Sequence, residues 1–505
     1  MKLTPGKLTH HELEGFYHNP RQIALIDSCW DDVDRSRQVV NKLIDDGETV
    51  YGLNTGFGLL ANKKISTEDL AKLQVNLVRS HSAGTGPRLA DSVVRLIMLL
   101  KATSLARGFS GIRKEAIDLI IECLNRNWLP WVPEQGSVGA SGDLAPLAHM
   151  SLALLGEGEF VDGNDSKLAS GVFAENGVAP LRLEAKEGLA LLNGTQVSTA
   201  LALAAFYEAK RTFRAGLVAG ALSVDAAKGS DTPFDHRVHE IRNHQTQIKC
   251  AALYRHLLAD SQIRDSHRDC KRVQDPYSLR CQPQVMGACL NSLNHASRVL
   301  IEEANAVSDN PLVFADDNSM LSGGNFHAEP VGLVADQMAI ALAEIGSLSE
   351  RRIALLIDKH LSELPPFLIE DGGLNSGFMI PQVTAAALAS ENKHLATPCS
   401  TDSMPTSANQ EDHVSMATYA ARRLSKMATN VNTILSIEML AACQGIEFHR
   451  PLKTGSCLEN AFSMIRDHAE FYSEDRTFHR EIENCRNHVI ASNALDEVLA
   501  VEEIF

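Results

Sequence analysis

Three stretches of this 505-residue chain carry residue types at spacings that could do chemistry. The first is Gly136-Ser137-Val138-Gly139-Ala140-Ser141-Gly142-Asp143, which runs on through Leu144-Ala145-Pro146-Leu147-Ala148-His149. On residue types alone it is a flexible turn opening a helix, with Asp143 near the helix start to meet unpaired N–H groups. Gly136, Gly139 and Gly142 let the backbone bend where a Cβ would forbid it. The second stretch, Tyr51-Gly52-Leu53-Asn54-Thr55-Gly56-Phe57-Gly58, contributes Gly56, Gly58 and Ala61 in a relaxed G-x-G-x-x-A spacing. A dinucleotide site would need a strand before it, a helix after it and an acidic residue ~20 positions on. Only Val50-Tyr51 precedes it and no βαβ unit follows, which argues against nucleotide binding. The third, His239-Glu240-Ile241-Arg242-Asn243-His244, has its histidines five apart, where a zinc-binding helix needs them four apart. No metal site is expected there, and His10-His11 reads as a solvated surface pair.

Taken at full length, the Gly136–His149 string resembles the signature of the aromatic amino acid ammonia-lyase family. Six further blocks follow the family's order: Tyr51–Gly58, Leu192-Asn193-Gly194-Thr195-Gln196, Gln274-Asp275-Pro276-Tyr277-Ser278-Leu279-Arg280-Cys281, Asp309-Asn310-Pro311, Gly323-Gly324-Asn325-Phe326-His327, and Asn409-Gln410-Glu411-Asp412-His413-Val414-Ser415. Singly each could be structural, since most buried Asn and Gln merely satisfy backbone groups. Together they span residues 51 to 415; beyond about residue 450 only helical pattern is visible.

The resemblance implies that Ala140, Ser141 and Gly142 cyclise and dehydrate to a 4-methylidene-imidazole-5-one (MIO), with no external cofactor. The residue types suit that chemistry. The Gly142 amide nitrogen must reach the Ala140 carbonyl carbon to close a five-membered ring, which a bulky side chain at 140 or 142 would obstruct. Ser141 loses its hydroxyl as water and leaves an exocyclic methylene, a soft electrophile that no unmodified side chain provides. By the same resemblance Tyr51 is the general base and Tyr277 a proton donor or electrostatic partner. Arg280 would hold a substrate carboxylate in a bidentate pair. Asn193 and Gln274 would hydrogen-bond around the amine and the electrophile, and Phe326 would pack on the ring. Whether the substrate bonds the electrophile through its amine or its ring is left open.

Two positions bear on which amino acid is taken. His81, in Arg79-Ser80-His81, stands where phenylalanine-specific members usually carry an apolar residue, although tyrosine-specific members share it. Glu411 is the sharper discriminator, because histidine-specific members read Gln-Glu-Asp-His there. A carboxylate can accept an imidazole N–H, whereas in a phenyl pocket it would be desolvated without a partner at a cost of several kcal/mol. L-Histidine is therefore the expected substrate and trans-urocanate the product. A tyrosine or phenylalanine lyase, or an aminomutase using the same electrophile, is the alternative. The family also implies a homotetramer whose active sites are shared between subunits.

The elements that must position these residues are mainly helical. Asp91-Ser92 offers an N-cap to a Leu-rich stretch ending at Gly108, and Ile112–Leu124 follows as a second helix. Val197–Tyr207 is apolar nearly all round, the mark of a helix buried on every side. Leu424, Met427, Val431, Leu435 and Met439 recur at spacings of three and four, with Gly445 as a stop. Similar stretches run from Val285 to Ala306 and from Val331 to Ile357. Breaks fall at 52–58, 130–142, 323–324 and 364–377, and loops on a rigid scaffold are where chemistry concentrates. The expected architecture is a smaller, mostly helical N-terminal domain, residues 1–195, carrying the Tyr51 loop and the tripeptide. A long-helix bundle, residues 196–505, follows it.

Composition narrows the class further. Hydrophobic residues make up 44% and aromatics only 5%, so Leu, Ala, Ile and Val must build the core. A formal net charge of -16 disfavours nucleic acid and anionic lipid as partners. Apolar runs are short against the ~20 residues that span a bilayer, and Met1–Gly6 lacks an apolar signal core. The ten cysteines form no C-x-x-C pair, which reads as reduced thiols in a cytoplasm.

Overall fold

The computed structural model describes the chain except residues 49, 51–52, 56–64, 269–272, 493 and 500–503. Apolar periodicity dictates the outcome: the architecture is helical, with four long helices at Gln196–Ala226, Gln282–Ala304, Glu329–Ile357 and Ala417–Glu447. The strands are short and form four two-stranded sheets among the described residues. Every residue from Gln196 to Tyr207 is buried, as an all-round apolar helix requires.

The chain divides into two compact units. The first comprises Met1–Ala205, Ser297–Asp336 and Pro398–Arg422; the second comprises Phe206–Ala296, Gln337–Thr397 and Arg423–Phe505. A linear cut at residue 195 describes only part of this, because two later segments return to the first unit. In the first unit, Val39, Val40, Leu43, Leu53, Leu70, Ala185 and Val313 form one buried cluster. The helix Asp91–Leu105 is buried along almost its whole length. In the second unit, Ile353, Ala385, Ala389, Ile434 and Ile437 form another cluster.

Three local expectations are corrected by the packing. Ala90, not Asp91, caps the helix Asp91–Leu105, and the Asp91 carboxylate takes a hydrogen bond from Arg88 Nη1 at 2.5 Å. Gly445 does not stop the last long helix, which continues to Glu447. A Cβ at Gly445 would stand 2.9 Å from Leu364 Cδ1 and 3.0 Å from Ala226 Cβ, so glycine there permits close packing. His10 is part-buried, with its Nε2 2.8 Å from the Ser297 carbonyl oxygen. The helix Glu329–Ile357 is, by length and composition, long and apolar enough to cross a membrane, and 61% of its apolar window is buried inside the protein. Elsewhere His239 is buried with both ring nitrogens occupied, by Pro233 O at 2.9 Å and Gln247 Nε2 at 2.8 Å, as a structural histidine is.

Candidate active site

The tripeptide lies in the first unit, immediately before the helix Leu144–Leu154. Gly142 adopts φ +73°, and a Cβ built on it would fall 2.3 Å from Gly194 O and 2.5 Å from Gly194 N. Only glycine fits, for both conformation and space. Gly142 and Gly194 form a parallel β-bridge, and Asp143 N donates to Gly194 O at 2.8 Å. The segment Asn193-Gly194 is itself fixed from below, since the buried Lys101 Nζ donates to Asn193 O at 2.7 Å. Asn193 in turn donates from Nδ2 to Ser141 O at 2.6 Å. Ala140 and Gly142 are thereby buried while Ser141 stays half-buried.

Asp143 occupies the N-cap position of its own helix, but its side chain makes no capping hydrogen bond there. Its buried carboxylate accepts from Ser137 Oγ at 3.0 Å, Ser198 N at 2.7 Å, Ser198 Oγ at 2.9 Å and Thr418 Oγ1 at 2.6 Å. It therefore serves the first turn of the helix Gln196–Ala226, where an anion meets unpaired N–H groups. Burial raises its pKa, opposed by those four donors.

Two later loops converge on the same turn. Gly139 O accepts from Ala328 N at 3.2 Å and from Ser415 Oγ at 2.9 Å, and Val138 O accepts from Met416 N at 2.9 Å. The Gly323–Ala328 loop thus carries the half-buried Phe326, and the 403–416 segment carries Glu411. Ser141 Oγ donates to Glu411 Oε1, while Thr406 Oγ1 and Ser407 Oγ donate to Oε2 at 2.7 and 2.8 Å. Burial pushes the Glu411 carboxyl up. The three hydroxyl donors, with His81 nearby, outweigh it and hold the carboxyl below the usual range, so it is ionised at neutral pH. His81 is the last residue of the helix Leu70–His81, and its Nδ1 donates to Leu77 O at 2.8 Å. Burial lowers its pKa against the raising influence of Leu77 O and Glu411, leaving a neutral ring with Nε2 as its free acceptor.

The structure therefore brings Ala140, Ser141, Gly142, Asn193, His81 and Glu411 together in one unit, with Phe326 on a loop tied to the same turn. Gln274, Tyr277 and Arg280 belong to the second unit. There the short helix Tyr277–Arg280 sets the Arg280 guanidinium 4.7 Å from the Tyr277 ring centroid, with Tyr277 and Gln274 exposed. Tyr51 lies outside the described residues. Sequence reasoning missed the supporting groups Lys101, Ser198, Thr406, Ser407, Ser415 and Thr418. Lys101 had a signal: it is the one lysine inside the apolar run Leu96–Leu105. Below it, Lys186 Nζ pairs with Asp309 Oδ2 at 3.0 Å, both buried, which gives the Asp309-Asn310-Pro311 block a structural purpose.

The site is thus a Gly-flanked Ala-Ser-Gly turn held beside an ionised carboxylate within a long-helix scaffold. A sequence profile described as aromatic amino acid lyase matches residues 8–467. A histidine ammonia-lyase of Yersinia enterocolitica is 56% identical over 500 residues, covering 99% of this chain and 98% of that protein. The crystal structure of a histidine ammonia-lyase from Trypanosoma cruzi superposes with a TM-score of 0.91 at 39% identity, over 100% of this chain and 96% of that one. That of a tyrosine aminomutase from Streptomyces globisporus gives 0.93 at 32% identity, over 99% and 98%. The chain belongs to the aromatic amino acid lyase family, and with it to the carbon–nitrogen lyases.

Proposed function

We propose that this chain eliminates ammonia from L-histidine and releases trans-urocanate. The observation that carries the substrate choice is Glu411. It stands beside Ser141, held ionised by hydroxyl donors on a polar loop, where an imidazole N–H is the natural donor and a phenyl ring offers none. The 56% identity to histidine ammonia-lyases supports the same reading.

Ala140, Ser141 and Gly142 suit conversion to MIO. Gly142 is the conformation and size the ring closure needs, and Asn193 Nδ2 polarises the Ser141 carbonyl. When formed, that group supplies an electrophile for the substrate's amine or ring. Loss of the Ser141 hydroxyl removes the donor to Glu411 Oε1 and leaves that oxygen for the substrate's ring N–H, while Oε2 stays anchored by Thr406 and Ser407. His81 Nε2 offers a second acceptor near the ring. Tyr51 takes the β-proton, Tyr277 assists by proton donation or electrostatically, and Arg280 pairs with the substrate carboxylate. Gln274 hydrogen-bonds near the amine, and Phe326 covers the ring. Tyr277, Gln274 and Arg280 reach the site in a homotetramer with shared active sites, acting in the cytoplasm on a small-molecule substrate.

The test is Ser141→Ala with ammonia release as readout, and intact mass as control. The native chain is expected to weigh roughly 36 Da less than its encoded mass, two waters, and the variant to lose both deficit and activity. Retention of most ammonia release by the variant would refute the reading. Comparison of kcat/KM for histidine, tyrosine and phenylalanine tests the role of Glu411, and a β-amino product in place of free ammonia would mark an aminomutase.

A further inference from the structure

Next to the site, but outside the groups assigned to it, the side chains of His327, Glu329 and His413 converge. His327 closes the Gly323–Ala328 loop, Glu329 opens the long helix Glu329–Ile357, and His413 follows Glu411 by two residues. One donor atom from each lies within 4.8 Å of the other two. His327 Nδ1 is 3.9 Å and His413 Nε2 4.0 Å from the same oxygen, Glu329 Oε2. The two imidazole rings are nearly parallel, 8° apart with centroids at 5.7 Å.

Three features separate this cluster from a chance grouping. The distances are too long for direct hydrogen bonds, so an atom fits between the groups. Glu329 Oε2 is buried and has no hydrogen-bond partner among the described residues, although a carboxylate oxygen seldom goes without one. Each imidazole also has its other nitrogen engaged. His327 Nε2 lies 3.2 Å from His413 O and so donates to it, which leaves the Nδ1 lone pair facing Glu329. His413 Nδ1 lies 3.2 Å from Ser403 Oγ, which leaves Nε2 facing the same oxygen. A tautomer fixed by an outer partner, as the His413 carbonyl fixes that of His327, is what a metal-binding histidine requires, and the Ser403 hydroxyl can accept from His413 Nδ1 to the same effect.

We propose that His327, Glu329 and His413 bind one Zn²⁺ per chain, with a water in the fourth position. Two neutral imidazoles and a carboxylate are a zinc ligand set. Metal–ligand bonds of about 2.0–2.2 Å at a tetrahedral angle place donor atoms about 3.4 Å apart, so each imidazole must close on Glu329 by about 0.6 Å and the two imidazole nitrogens, within 4.8 Å of each other, by up to about 1.4 Å. The His413 side chain is 67% exposed, so it can pivot about its Ser403 contact without meeting packed neighbours. Ala328 N and Ser415 Oγ already meet on Gly139 O. The ion would add a second clasp between the loop that carries Phe326 and the segment that carries Glu411.

The test uses full-length protein stripped with a chelator and titrated calorimetrically with ZnCl₂, then with CoCl₂ under visible spectroscopy. One Zn²⁺ per chain and a Co²⁺ d–d band without thiolate charge transfer are expected. His413→Ala and Glu329→Gln should each weaken binding by at least the roughly 10–100-fold that loss of an outer partner alone costs a metal site. Cys457→Ser, at a half-buried free cysteine of the second unit and outside the cluster, should leave binding unchanged. Anomalous scattering at the zinc edge from wild-type crystals locates the ion should either variant fail to fold. Millimolar or absent binding overturns the proposal, as does binding that survives the double variant, a thiolate spectrum, or a water at this position in zinc-soaked crystals. None of these outcomes bears on lyase activity in the Ser141→Ala test, so the two proposals fail separately.

Discussion

Replacing Gly142 with alanine tests the central structural claim, that this backbone turn is pre-shaped for ring closure by a second backbone segment. At φ +73° an L-residue pays about 1–2 kcal/mol. The added Cβ would stand 2.3, 2.5 and 2.6 Å from Gly194 O, N and C, all backbone atoms that no rotamer change can move aside. Relieving that overlap displaces the segment, which typically costs about 1–3 kcal/mol. It also breaks the 2.8 Å bond from Asp143 N to Gly194 O, worth about 1 kcal/mol. Together these come to about 3–6 kcal/mol, localised where the Gly142 nitrogen must approach the Ala140 carbonyl. Gly142→Ala is therefore expected to unfold in urea at a visibly lower midpoint, and to lose the roughly 36 Da mass deficit along with ammonia release. A variant of native stability that still shows the full deficit would refute the claim that the Gly142–Gly194 contact shapes the turn.

Glu411→Gln keeps the shape of the anchor but removes its charge. Hydrogen bonds to charged groups contribute about 1.5–3 kcal/mol against about 1 for neutral ones, so kcat/KM for histidine should fall roughly 2- to 30-fold with the mass deficit intact. An unchanged kcat/KM would remove Glu411 from substrate binding. Lys101→Met addresses the buried lysine. Burial, against the raising influence of Asp309, lowers its pKa from 10.5 to about 7. Below pH 7 the folded chain carries the full cost of a buried ammonium. Between pH 7 and 10.5 the unfolded lysine holds a proton the folded one has released, so stability rises with pH. Urea unfolding at pH 7 and pH 9 should therefore show wild type gaining about 2 kcal/mol relative to the methionine variant. Parallel pH curves for the two proteins would contradict it.

Most of the helical frame was legible because its signal is local. Apolar residues at spacings of three and four foretell Ala417–Glu447, and an all-round apolar run foretells the buried start of Gln196–Ala226. The same local reading misplaced Gly445 as a stop, because what fixes glycine there is contact with Leu364 and Ala226, residues distant in sequence. The return of 297–336 and 398–422 to the first unit has no periodic signature at all. At the site, the residue types proposed to do chemistry stood out, whereas those that hold them did not. Thr406, Ser407, Ser415 and Thr418 are unremarkable hydroxyls until the fold aims them at Glu411, Gly139 and Asp143.

Under the proposed function, those hydroxyls let one carboxylate serve two stages. Glu411 Oε2 takes two donors from its own loop, so the carboxylate keeps its place whatever happens at Oε1. Oε1 takes the Ser141 hydroxyl, the one group that dehydration of the tripeptide removes. Before dehydration, the charge on Glu411 orients that hydroxyl. After it, as proposed, the same charge would face a vacated donor position next to the modified residue, and a half-buried carboxylate that has lost a donor favours a ligand that returns one. An imidazole N–H does so and a phenyl C–H does not. If the tripeptide matures as proposed, selectivity for histidine follows from that step.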